Sequence, residues 1–151
     1  MKEPDVAHEF DPEVFRNDAG AVVDLLAENL RRSTGPERSR VLPSFSPEDM
    51  AQRWSTPVGP APTEGHTALL KRVIDDSHHL HSPHYVGHQV SSPLPLSAIA
   101  EFAASLLNNA SAVYDMGPVN VIHEKRIIEW MTGLLGYGSG ADGIFTSGGT
   151  L

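Results

Sequence analysis

The chain has 151 residues, 40% of them hydrophobic and 20% charged, and a formal net charge of −8; that length suffices for one domain with its own core. The acidic balance leaves no basic patch to neutralise a phosphate backbone, which excludes nucleic acid as a partner, and the lack of any cysteine removes disulfides and thiolate metal ligation. The polar start Met1-Lys-Glu-Pro-Asp5 has no signal-peptide core, and no apolar run approaches the roughly 18 residues needed to span a membrane, so a cytoplasmic location without a membrane partner is expected.

Residues 1–9 show no periodicity and are expected to form a flexible arm. Asp11-Pro12-Glu13 has the form of a helix start, with Asp at the N-cap and Pro in the first turn. Phe15, Val22, Val23, Leu26 and Leu30 then recur at helical spacing, predicting an amphipathic helix that ends near Arg32 and whose apolar stripe needs a cover. Between Ser33 and Pro62 lie Pro36, Pro43, Pro47, Pro57, Pro60 and Pro62, so this stretch reads as an extended connector. Ser46-Pro47-Glu48-Asp49 predicts one short helix within it, with Trp54 packing its end.

A further helix is expected from Thr63-Glu64 through Leu69, Leu70, Val73 and Ile74 to about His79, followed by a proline-bounded loop from His81 to Pro95. Ser97 reads as the cap of the next helix, with Ile99, Phe102, Ala103, Leu106 and Leu107 on one face, fading at Asn108 into the loop 113–118. The last helix carries Val119, Ile122, Ile127, Trp130, Met131, Leu134 and Leu135, and Gly136 stands where a left-handed residue closes a helix. A buried strand is expected at Ile144–Thr146, running into Ser147-Gly148-Gly149-Thr150. The sequence stops where a helix ought to begin, so the chain is expected to be the front part of something larger.

A strand feeding glycines and hydroxyls into a helix N-terminus is a recipe for holding a phosphate, because the backbone approaches the anion and unpaired N–H groups face it. A plain tight turn is the alternative. The loop lacks the Gly-Lys-Ser/Thr ending of a nucleotide loop and the Gly-x-Gly-x-x-Gly spacing of a dinucleotide site, which steers the phosphate away from those ligands. His78, His79, His81, His84 and His88 fall within eleven positions, but without a carboxylate at a metal-motif interval, so no metal is expected. His88-Gln89 after Gly87 is suited to a carboxylate or a ring, or merely to local backbone. Glu124, Lys125, Arg126 and Glu129 read as surface ion pairs.

Taken together, His81-Ser-Pro-His-Tyr-Val-Gly-His-Gln89, the run from Asn108 to Met116-Gly-Pro118 with Glu124 and Trp130-Met131, and Ala141-Asp-Gly-Ile-Phe-Thr-Ser-Gly-Gly-Thr150 resemble the group II pyridoxal-phosphate-dependent amino acid decarboxylases in content, order and separation. The resemblance covers roughly residues 64–151. It implies an α/β fold-type-I enzyme, of which this chain carries an α-helical N-terminal segment and the start of the large parallel-sheet domain. Residues 1–62 would be a helical arm and connector, and 63–151 the incomplete front of the cofactor domain. It also implies a homodimer with the site at the subunit interface, a small amino acid substrate, and pyridoxal 5'-phosphate held by Ser147, Gly148, Gly149 and Thr150. Tyr85, His88 and Gln89 would line the substrate pocket, and Tyr114 and Met116 would reach the neighbouring subunit's site.

No catalytic residue is expected in this chain. The family's Schiff-base lysine, with its pyridine-nitrogen aspartate and ring-stacking histidine, would lie downstream, since Lys2, Lys71 and Lys125 have no matching context. The expected function is therefore the front part of an L-amino acid decarboxylase, a lyase that releases carbon dioxide and an amine and is inactive without the remaining polypeptide. Another fold-type-I enzyme, such as an aminotransferase or desulfurase, is one alternative, and a non-catalytic helical dimerisation module is the other.

Overall fold

The structure is a computed structural model that describes residues 6–36, 40–42, 44–55 and 64–149. The chain divides into two compact units, Met1–Pro93 and Leu94–Leu151.

In the first unit a turn of 3-10 helix, Val6–Phe10, precedes helix α1, Pro12–Thr34. The expectation of an unstructured arm over residues 1–9 is thus corrected over residues 6–9, where Asp11 N donates to His8 O at 3.1 Å, and residues 1–5 lie outside the described residues. Asp11 then caps α1, its carboxylate accepting from Glu13 N at 2.8 Å, with Pro12 in the first turn as its fixed φ favours. Helix α2, Pro47–Arg53, is set by a reciprocal capping box: Asp49 N donates to Ser46 Oγ at 3.0 Å and Ser46 N to Asp49 Oδ2 at 3.4 Å.

Helix α3 spans His66–Asp75, later in start and earlier in end than its apolar pattern suggests; Thr63 lies outside the described residues. Its end comes early because Ser77 Oγ donates to Val73 O at 2.6 Å while His79 N turns away to Val41 O at 3.0 Å. Helix α3 packs on α1, where Arg32 reaches Asp75 at 3.3 Å. Trp54, at the end of α2, does more than close that helix: its Nε1 donates to Asp76 Oδ2 at 3.0 Å and the Arg72 guanidinium stands 4.6 Å over its ring.

In the second unit α4 runs Pro95–Leu107, a turn of 3-10 helix covers Tyr114–Met116, and α5 runs Pro118–Leu134. Ser97 is not the cap. Pro95 is already preset for the first turn, so Leu94 is the cap, three residues earlier, and the Ser97 hydroxyl donates to Leu94 O at 2.7 Å. Asn108 closes α4 at φ 47°. Gly136, at φ 75°, closes α5 as its position implies: Tyr137 N bonds Thr132 O at 3.0 Å and Gly136 N bonds Gly133 O at 3.2 Å.

No strand forms among the described residues. Ile144–Thr146 makes no ladder bonds, because a strand exists only against a neighbour and none is present among these residues. Ile128, 8% exposed, is the buried hydrophobic side chain among the described residues, and the apolar faces of α1, α4 and α5 stand largely open. No described helix is long and apolar enough to cross a membrane.

Candidate functional site

In the second unit the segment after α5 returns along that helix. Gly143 lies against Ile128, where an added Cβ would stand 3.4 Å from Ile128 Cγ2. Two residues on, Phe145 N donates to Glu124 Oε1 at 2.7 Å. Glu124 is therefore not the member of a surface ion pair that its helical neighbours suggested, since its carboxylate is occupied by loop backbone instead. Arg126 and Glu129 do pair, at 3.2 Å.

The glycine loop follows at once. Thr146 Oγ1 donates to Gly148 O at 2.8 Å and closes it into a turn. Ser147, Gly148 and Gly149 are exposed, and a Cβ at either glycine would meet no described atom within 4 Å. Thr150 lies outside the described residues. A hydroxyl and a run of open backbone amides form a donor set suited to an anion. Ser147, Gly148 and Gly149 thus fit the phosphate end of a cofactor.

In the first unit, Tyr85, His88 and Gln89 sit on a loop tied at its base. Ser92 Oγ donates to Leu80 O at 2.7 Å, and His81 Nε2 pairs with Pro93 O at 2.8 Å. Ser82, 6% exposed, anchors the interior of the loop: its carbonyl accepts Tyr85 N at 3.0 Å and its hydroxyl accepts His84 N at 3.3 Å. His88 takes the left-handed region at φ 39°, which turns the chain back at the loop tip.

The loop forms one wall of a depression of about 300 Å3 lined by Val41, Leu42, His78, His84, Tyr85, Val86, Gly87 and His88. Tyr85 and His88 thereby come together; Gln89 is exposed and is not part of that lining. Val41 and Leu42 carried no signal of their own in a proline-rich connector, and the bond from His79 N to Val41 O at 3.0 Å ties them to the segment ahead of the loop. Burial holds the His79 imidazole below the usual histidine value, with Arg32 and His78 acting the same way and Asp75 opposing.

Tyr114 and Met116 form the 3-10 turn ahead of α5 and are exposed. Tyr114 lines an apolar depression of about 310 Å3 with Pro118, Val119, Ile122 and His123, and Met116 does not. Among the described residues no three histidine or acidic side chains are gathered as a metal site.

No protein-family model matches the sequence. The chain is similar to an L-2,4-diaminobutyrate decarboxylase of Acinetobacter baumannii, with 33% identity over 82 residues, which is 54% of this chain and 16% of that protein. It thus matches about a sixth of that relative's length. Its fold is similar to that of mouse CSAD in its apo form, with a TM-score of 0.78 and 22% identity, over 91% of this chain and 29% of that one. At that identity the likeness is one of fold. The similarity to a decarboxylase accords with the resemblance that the three motif blocks carry, and the fold is one that mouse CSAD shares.

Proposed function

We propose that this chain is the N-terminal part of a pyridoxal-phosphate-dependent L-amino acid decarboxylase, contributing a phosphate cradle and part of the substrate wall. The observation that carries the reading is the open Ser147-Gly148-Gly149 turn at the end of a segment pinned to α5. The similarity to a decarboxylase over 82 residues supports it.

Ser147 offers its hydroxyl, and Gly148 and Gly149 offer amides with no side chain in the way of the anion. Tyr85 and His88 present a phenol and an imidazole from one wall, groups able to orient a substrate's polar atoms while Val41 and Leu42 exclude water beside them. Gln89 and Thr150 complete the two sets in this reading, and Tyr114 and Met116 serve the neighbouring subunit's site in a homodimer. When bound, pyridoxal phosphate supplies the electron sink for the pair left behind as the carboxylate departs as carbon dioxide. Among the described residues no lysine is placed to hold the cofactor's aldehyde: Lys71 is engaged with Asp75 on α3, and Lys125 lies on α5 with no motif around it. Activity therefore depends on polypeptide beyond these residues. The open apolar faces of α1, α4 and α5 support an assembly in which further chain and a second copy cover them.

The test is to mix pyridoxal phosphate with this chain and, separately, with the full-length protein that carries it. The full-length protein should gain the visible absorbance of the lysine-bound cofactor and release carbon dioxide from an L-amino acid, and the chain by itself should do neither. A full-length protein without that absorbance would overturn the reading.

A further inference from the structure

We infer that Glu124 is a positioning residue for the glycine loop, fixing where the Ser147–Gly149 amides stand; this rests on the reading of that loop as a phosphate cradle. Glu124 and Ile128 are four positions apart on α5 and share one face, about 6 Å apart along the axis at about 1.5 Å per residue. Gly143 and Phe145 are two positions apart, a separation that spans up to about 6.6 Å at about 3.3 Å per residue. The two separations are compatible, and the pairing runs in reverse order: Gly143 against Ile128, then Phe145 against Glu124. The segment therefore runs antiparallel to α5 and is held at two consecutive turns of the helix.

The two contacts do different work. The Gly143–Ile128 contact brings the segment close but is not directional, so it tolerates a slip along the helix. The Phe145 N–H bond is directional. A slip of one residue turns the next amide to the opposite side, away from Glu124. With no neighbouring strand among the described residues to accept that amide, the carboxylate takes the ladder's place, and the 2.7 Å length is that of a charge-assisted bond.

Only Thr146 separates Phe145 from Ser147, and Thr146 Oγ1 closes the turn on Gly148 O. The turn is thus a small closed unit hung from one bond. Releasing Phe145 lets the unit swing as a whole, displacing amides that must converge on one anion. Glu124 is assigned to positioning and not to binding, because its negative charge would repel a phosphate.

The test uses the full-length protein, with hydrogen exchange at the Phe145 amide measured without cofactor and the dissociation constant for pyridoxal phosphate measured separately. Glu124→Ala should speed exchange at Phe145 and weaken the cofactor about tenfold, the loss expected for a bond to a charged group, with helical content unchanged. Glu124→Gln, whose neutral amide oxygen accepts the same bond more weakly, should recover part of both. Unchanged affinity in Glu124→Ala, or equal weakening by Ala and Gln, would overturn the proposal. An unmutated protein that takes up no pyridoxal phosphate would overturn the decarboxylase reading and the loop's role with it. That failure is told apart from an absent latch by exchange at Phe145, still slow in the unmutated protein and fast in Glu124→Ala.

Discussion

Arg53 grips Asp76 at two points, Nε to Oδ2 at 3.2 Å and Nη2 to Oδ1 at 3.0 Å, and the Trp54 indole donates to the same Oδ2 at 3.0 Å. Three donors converge on a carboxylate that is almost covered, with 7% of its side chain exposed. Because Asp76 directly follows α3, the joint ties the end of α2 to the point where the histidine loop departs. Asp76→Ala should release α2, seen as faster hydrogen exchange across Pro47–Arg53 and a red shift of Trp54 fluorescence. Unaltered exchange would mean that the stacking of Arg72 on Trp54 and of Arg53 on Phe45 holds α2 without Asp76.

Acid should weaken this unit in two separate windows. Burial, then Arg32, depress the His79 imidazole, so the unfolded chain takes up that proton at a higher pH than the folded one. Stability from this source is complete above the unfolded histidine value of about 6.5 and declines as pH falls toward the depressed folded value. Asp75 and Asp76 are lowered foremost by hydrogen bonds from Lys71 and Arg53, respectively. Their contribution is complete above the ordinary carboxylate range and disappears as pH falls through the folded values. Thermal midpoints measured against pH should decline first below about pH 6.5 and again in the carboxylate range. His79→Gln should remove the first decline and Asp76→Asn should reduce the second. A single decline in the unmutated protein would contradict the separation.

Gly117 opens α5 at a site where a side chain has no room. A Cβ there would stand 2.3 Å from the Ala110 carbonyl oxygen and 3.1 Å from its carbon. The obstacle is backbone, not a flexible side-chain tip, so Gly117→Ala must shift either the 110 turn or the start of α5. A destabilisation of about 1–3 kcal/mol is expected, in the range of overpacked interior sites. Gly133→Ala is the control, since nothing lies within 4 Å of its added Cβ and it sits within α5. Alanine there should be neutral or stabilising by up to about 1 kcal/mol. Chemical denaturation of both variants measures the difference.

These sites show which parts of the molecule were legible in the sequence. Local chemistry read well: Asp11-Pro12, Ser46 with Asp49, and Gly136 mark helix ends because their caps are made by residues two to five positions away. Ser97 misled because two start signals, its hydroxyl and Pro95, compete within three residues and the fixed proline φ prevails. The strand at Ile144–Thr146 was read from composition, whereas a ladder is a property of two segments. Glu124 was misassigned for a related reason. Its helical neighbours advertise an ion pair, and its actual partner is a backbone amide 21 positions along the chain, which no side-chain pattern announces. The glycine loop was legible as a turn with open amides; its attachment to α5 was not.

Gly149 separates a requirement of the fold from a requirement of a ligand. An added Cβ meets no described atom within 4 Å, and its φ is not in the left-handed region. Gly149→Val should therefore change stability by no more than about 0.5 kcal/mol, as at an ordinary surface position. If the loop holds a phosphate, the branched side chain occupies the anion's approach, and affinity for pyridoxal phosphate in the full-length protein should fall by more than about tenfold, the equivalent of losing one or two charge-assisted bonds. Pyridoxal, which lacks the phosphate, supplies the control: its weaker binding should be nearly the same in both proteins. Equilibrium dialysis with both compounds, beside a thermal melt, decides the matter. A loss shared equally by pyridoxal and pyridoxal phosphate would show that residue 149 faces some other part of the cofactor, and unchanged affinity for both would remove Gly149 from the site.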